Sequence, residues 1–190
     1  MDLQELRPGL WRWASTHPDW VPSDGLTRDV ASVYYAARDA LVLIDPLVPA
    51  EEEERFWAAL DRDVERLGLP VVVLLTVPWH ERSAHRIVER YGGTVADEPP
   101  AGLGAIRIAG VGGEPETLYW IPEHGALVAG DILVGTPPRI VDAWQPEARR
   151  GEPVRAELRH LLDLPVELLL PAHGDAVLED AHAVLAEALR

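Results

Sequence analysis

Seven histidines, many carboxylates and no cysteine set the terms of the chemistry. Without thiolates there is no disulfide, no cysteine nucleophile and no zinc site built on sulfur, so a metal would have to be held by His, Asp and Glu. The densest group of such residues is His80, Glu81, Arg82, Ser83 and His85, directly after the apolar run PVVVLLTV. Three more stand where apolar runs end: Asp45 after LVLI, Asp131 after ALVAG and His173 after VELLLPA. Polar groups at the ends of buried strands are held rigidly yet face a cleft, where a hydrolytic site is built.

Other chemistries are disfavoured. All 17 basic residues are Arg, which excludes Schiff-base catalysis by lysine. A formal net charge of -15 repels a polyphosphate chain, so nucleic acid is not an expected partner. No serine stands in a nucleophile elbow, no phosphate-binding loop is present, and the glycines of GLGAIRIAGVGG precede a strand instead of linking strand to helix. Ser83 with His80 or His85 is a poor nucleophile–base pair, because residues two or three apart at a helix start seldom meet correctly. His85 and Glu89 are read as an exposed helical pair and His124, His160 and His182 as surface residues, while His17 is assigned to a structural turn.

The elements that position these groups follow from periodicity. Residues 30 to 44 read as a hairpin broken at Arg38-Asp39, with Asp45 at the end of its second strand. AEEEERFWAALDRDVERLGL carries acidic residues at its start, Phe56, Leu60, Val64 and Leu67 on one face, and Gly68 as a stop, so it is an amphipathic helix. PVVVLLTV is a strand covered on both faces, followed by the His80 loop and a helix bearing Ala84, Ile87, Val88 and Tyr91. Short strands are expected at TVADE and AIRIAG, and two more around the turn Pro122 to Gly125. A helix over 152–163, a buried strand ending at His173 and a terminal helix complete the chain. Hairpins interrupt the strand–helix alternation, which predicts mixed sheets covered by helices in a single domain over residues 1–190. The longest apolar run is about half the ~20 residues a membrane helix needs, and the first residues lack a basic start with an apolar core. No membrane partner and a cytoplasmic location are therefore expected.

Taken in order, LVLIDPL, VVVLLT with its His-bearing loop, GALVAGDIL and LLLPAHGD resemble the metallo-β-lactamase superfamily from about residue 10 onward. The resemblance implies an α/β (α+β) fold, a four-layer αβ/βα sandwich of two mixed β-sheets flanked by helices, with a metal site formed by loops at strand ends. Asp45 matches the Asp that supports the site from behind, Asp131 the Asp that bridges two metals, and His173 the last His ligand. The loop motif after Thr76 departs from the family: Val77, Trp79, Glu81 and Arg82 fall at its ligand positions, and Gly113 replaces the His of the next motif. The usual two-metal site is therefore not expected.

Two readings follow. In the first, His80, Asp131 and His173, with Glu81 as a further oxygen, hold one zinc or iron ion that lowers the pKa of bound water to about 7. Asp45 then orients a ligand, and Arg82 stabilises the oxyanion in hydrolysis of a small ester, thioester, lactone or phosphoester. In the second, Arg82 pairs with Asp131 in place of an ion, and a non-catalytic protein binds a small anion or a protein partner through the same cleft.

Overall fold

The computed structural model describes residues 2–21 and 26–190, which divide into two compact units, Met1–Gly102 and Leu103–Arg190. The first unit holds a six-stranded mixed sheet whose strand order follows the sequence: β1 (Asp2–Arg7), β2 (Leu10–Thr16), β3 (Asp29–Ala36), β4 (Leu41–Ile44), β5 (Val71–Leu74) and β6 (Thr94–Val95). The first four strands pair antiparallel; β4, β5 and β6 pair in parallel. Parallel neighbours need a crossover, and helices α1 (Glu53–Leu67) and α2 (Ala84–Tyr91) supply it. Both end on a left-handed glycine, Gly68 and Gly92, whose amide bonds back into the last turn.

The core of this unit gathers the apolar stripes of the two helices on one face of the sheet. Phe56 and Leu60 of α1 and Ala84 and Ile87 of α2 pack with Trp13, Leu41, Leu43, Val71 and Val73. Along β4 and the start of the following loop every residue is buried, so no side-chain alternation survives, as expected of a strand covered on both faces. On the outer side of the helices, Trp57 lies under the guanidinium groups of Arg86 and Arg90, 5.5 and 4.9 Å from its ring centre, and Arg90 forms a two-toothed bond with Asp61. These contacts tie α1 to α2.

The second unit holds a four-stranded sheet in the order β10-β9-β8-β7, from β7 (Gly104–Ala109), β8 (Pro115–Ile121), β9 (Ala126–Ala129) and β10 (Leu168–Pro171). β7, β8 and β9 pair antiparallel and β9 with β10 in parallel. The long β9–β10 connection carries α3 (Glu152–Leu158), and α4 (Ala181–Ala188) closes the chain. Val154, Leu158 and Leu161, with Ala181, Leu185 and Leu189, pack on Leu118, Leu127 and Leu169 of the sheet.

The hairpin of 30–44, both long-range crossovers and the turn at Pro122 appear where the sequence pattern predicts them. Three details differ. The chain opens with the β1–β2 hairpin, which the pattern did not announce because β1 is a charged edge strand, exposed over most of its length. The helix expected over 152–163 becomes a tighter 3-10 turn from Arg159 to Asp163. The strand expected to end at His173 stops at Pro171, the last residue in register with β9, opposite Ala129. Among the described residues no helix is long and apolar enough to cross a membrane.

Candidate metal centre

In the first unit the candidate residues converge at the carboxyl ends of β4 and β5. Asp45 follows β4 directly and is 2% exposed, in the left-handed region at φ 49°, which an Asp tolerates better than most residues. Its main chain is fixed from three directions. The Asp45 amide donates to Leu74 O at 3.0 Å, and its carbonyl accepts from Ser32 Oγ and from Arg82 Nη1, both at 2.8 Å. The carboxylate therefore has little freedom to turn.

That carboxylate accepts at both oxygens. The Thr76 amide donates to Oδ1 at 2.8 Å, the Thr76 hydroxyl to Oδ2 at 2.5 Å, and His80 Nδ1 lies 2.9 Å from Oδ2. Burial pushes the Asp45 pKa up, but the neighbouring His80, the Arg82 cation and the Thr76 hydroxyl together outweigh it and leave the group below its ordinary value. An ionised carboxylate can only accept, so Nδ1 of His80 carries the proton. On the neutral imidazole Nε2 is then the nitrogen whose lone pair can ligate a metal.

His80 lies in a short 3-10 turn, Pro78–Glu81, and is 4% exposed. The turn ends at Arg82, which also takes a left-handed φ of 40°. Its Nη1 donates to the carbonyls of Ala31 and Asp45 at 2.7 and 2.8 Å, so this side chain clamps the Asp45 loop onto β3. Ser83 continues the fastening: its amide donates to Pro46 O, and its hydroxyl accepts from the Val48 amide. Ser83 is thus a structural residue rather than a nucleophile.

Glu81 faces the other way. Its carboxylate is 53% exposed and meets His85 Nε2 across one turn, at 2.5 Å. The oxygen ligand anticipated at Glu81 is thereby drawn to the surface, because the turn that buries His80 directs the next side chain outward. The same contact corrects the expected His85–Glu89 pair, since Glu81 is the partner instead. Trp79 is half exposed, and Val77 is buried.

In the second unit Asp131 and His173 stand at the ends of two neighbouring parallel strands, each two residues beyond the ladder. They are 8% and 7% exposed, and His173 Nε2 lies 3.4 Å from Asp131 Oδ1. That separation exceeds a charge-assisted hydrogen bond, which runs at about 2.7–2.9 Å. It matches the spacing of two ligand atoms on one tetrahedral ion, which is roughly 3.4 Å for bonds of about 2.0–2.1 Å. The donor set and its spacing fit a metal.

Both loops are fastened. The His173 carbonyl accepts from the Gly135 amide at 2.8 Å, and the Asp175 amide donates to Thr136 Oγ1 at 2.9 Å. A Cβ on Gly174 would stand 2.3 Å from Gly135 O, so only glycine permits this approach. On the other side the amides of Gly130 and Ile132 both donate to Oε1 of buried Glu116, at 3.1 and 3.2 Å, and so bracket Asp131. Gly113 lies in the β7–β8 turn.

Three of the remaining histidines are as expected. His17 Nδ1 accepts the Asp19 amide within a turn, while exposed His160 and His182 meet the carbonyls of Glu157 and Leu162. Thr76, Ser32 and Glu116 are the supporting residues that sequence reasoning did not assign. For Glu116 a signal existed, since it stands in phase with buried Leu118 on β8, on a face where a carboxylate needs a reason.

No family model matches the chain. No curated protein matches it in sequence either. Solved structures do match over nearly the whole length. VMB-1 is similar with a TM-score of 0.64 and 12% identity, covering 99% of this chain and 94% of its own. A metallo-β-lactamase from Erythrobacter litoralis gives 0.61 and 13%, covering 97% and 91%. The metallo-β-lactamase FIM-1 from Pseudomonas aeruginosa in its mono-zinc form gives 0.54 and 10%, covering 100% and 95%. The chain has the metallo-β-lactamase fold. Its two mixed sheets with flanking helices are those the motifs implied, and at such low identity the likeness speaks for the fold alone. Within the metallo-β-lactamase fold this chain places Asp45, Asp131 and His173 just beyond strand ends and a 3-10 turn bearing His80 after Thr76.

Proposed function

We propose that this protein is a mononuclear metal-dependent hydrolase of a small ester, thioester, lactone or phosphoester, with His80, Asp131 and His173 as the ligands of one zinc or iron ion. The observation that carries the reading is the buried His173–Asp131 pair at 3.4 Å, spaced for a shared ion rather than for a hydrogen bond. In support, Asp131 and His173 are both buried within the second unit and His80 is buried within the first, and the fold has a precedent for one metal in the mono-zinc form of FIM-1. Two imidazoles and a carboxylate with an open position suit zinc and ferrous iron alike. Such an ion supplies Lewis acidity, polarising a substrate oxygen and lowering the pKa of water beside it.

The chain's own residues prepare that chemistry. Asp45 holds the proton of His80 on Nδ1 and so directs Nε2 to the ion. Thr76 holds Asp45 at both carboxylate oxygens. Arg82 fixes the Asp45 main chain and places a positive charge nearby, which favours the ionised form of that carboxylate. In this proposal Arg82 is a clamp first, and any stabilisation of an oxyanion is secondary.

Metal content of protein purified without chelators tests the proposal. About one zinc or iron per chain is expected, with His173→Ala and Asp131→Ala each losing the metal and any hydrolysis found in an ester and phosphoester screen. Full metal content in both variants would overturn it.

A further inference from the structure

Resting on the assignment of Asp131 as a ligand, we propose that Glu116 is a positioning residue for the metal centre, setting the Asp131 carboxylate through the main chain on either side of it. Glu116 is the second residue of β8 and is 1% exposed. Its Oε1 accepts from the amides of Gly130 and Ile132, the residues immediately before and after Asp131. One oxygen thus holds two successive-but-one amides of the loop that leaves β9. Rotation of the Asp131 peptide planes, and with them the direction of its side chain, is checked from both ends.

The space for this carboxylate is made deliberately by the neighbouring hairpin. A Cβ on Gly110 would lie 2.5 Å from Glu116 Oε2 and 2.7 Å from its Cβ, so no other residue at 110 leaves room for Glu116. Gly110 is itself held. Its amide donates to Glu114 O at 2.7 Å, and its carbonyl accepts from Arg149 Nη1 at 3.1 Å. Arg149 Nη2 donates to Ala109 O at 2.7 Å, and the same guanidinium meets Glu157. The line from α3 through Arg149, the β7–β8 turn and Glu116 to Asp131 consists of short, directed contacts within one unit. A solvated surface carboxylate would do none of this, and a buried one is costly without such a use.

Supporting residues behind metal ligands typically change affinity by about 10–100-fold when altered. Zinc affinity should be measured by chelator competition on the full chain for the wild type, Glu116→Ala, Glu116→Gln, Gly110→Ala and Leu185→Ala. Gln keeps the Oε1 acceptor, so its affinity should stay within a few-fold of wild type. Ala at 116 removes the acceptor and Ala at 110 displaces it, and both should weaken zinc binding by roughly 10–100-fold. Leu185→Ala disturbs the core of the same unit away from the loop and should lower the melting temperature with zinc affinity kept.

If Glu116→Ala does not fold, Gly110→Ala against Leu185→Ala decides the matter. Wild-type affinity in folded Glu116→Ala or Gly110→Ala would overturn the inference while leaving the metal site standing. Equal weakening in Leu185→Ala would also overturn it, reducing Glu116 to general stability. A wild-type chain that binds no zinc or iron would remove the metal reading and this one with it.

Discussion

At the scale of single residues, the bond between Asp45 and His80 decides what His80 can do. A neutral imidazole exchanges its proton between two nitrogens, and a fixed acceptor at Nδ1 makes Nε2 the one that can ligate a metal. Asp45→Asn removes the charge and offers an amide that must compete with the Thr76 donors for orientation. Zinc affinity is expected to fall by about 10–100-fold, together with a loss of stability of about 1–3 kcal/mol from donors left unsatisfied in a buried place. Isothermal titration with zinc and urea unfolding measure the two effects separately. Unchanged zinc affinity would show that His80 is not held for a metal. Asp45 and His80 were both legible as strand-end polar residues, but their bond was not, because it depends on how the turn at Pro78–Glu81 folds back and on two left-handed residues. Nothing in the residue type of Arg82 announces a positive φ, and an Asp at 45 permits one without requiring it.

Elements were more legible than contacts, for a physical reason. α1, α2 and β5 bury long apolar stripes or runs whose period is set by backbone geometry, and that period survives in the sequence. β1 has no such stripe: its pairing to β2 comes from main-chain bonds that any side chain permits. Glu116 illustrates the same limit on a buried face, since its reason for burial is two amides fourteen and sixteen residues away. The packing of α2 yields a direct prediction, because this helix anchors the loop that carries His80. Ile87 is fully buried against the first sheet, and Ile87→Ala should destabilise the chain by about 2–5 kcal/mol through lost burial and the cavity left behind. Exposed Glu89 on the same helix serves as the control, where Ala should change stability by no more than about 0.5 kcal/mol. The difference between the two urea midpoints reads the packing of α2 directly, and equal midpoints would contradict it.

For the whole molecule, charge governs the response to pH, and two opposite effects compete. With a net charge of -15 and an isoelectric point near 4.8, like-charge repulsion disfavours the compact state at neutral pH and relaxes on acidification. Against this stand carboxylates whose folded pKa lies below the ordinary value: Asp61 through its bonds to Arg90 and Tyr91, Asp142 through Arg155 and the Gly151 amide, and Glu157 through Arg149. A depressed folded pKa contributes stability that is present above the unfolded value, about 3.9 for Asp and 4.3 for Glu, and is lost as pH falls through the folded value. All three carboxylates are well exposed, so each contributes little, and only their shared direction matters. Salt separates the two effects, since a screening length of about 8 Å at 0.15 M damps the diffuse repulsion more than contacts at hydrogen-bond distance. Metal-free protein in 0.15 M salt should therefore keep a nearly constant urea midpoint from pH 7 to 5.5 and lose stability below about pH 4.5. In low salt the midpoint should rise between pH 8 and 5.5 before the same acid decline. A midpoint that keeps rising below pH 4 in both buffers would mean that these ion pairs do not form in solution.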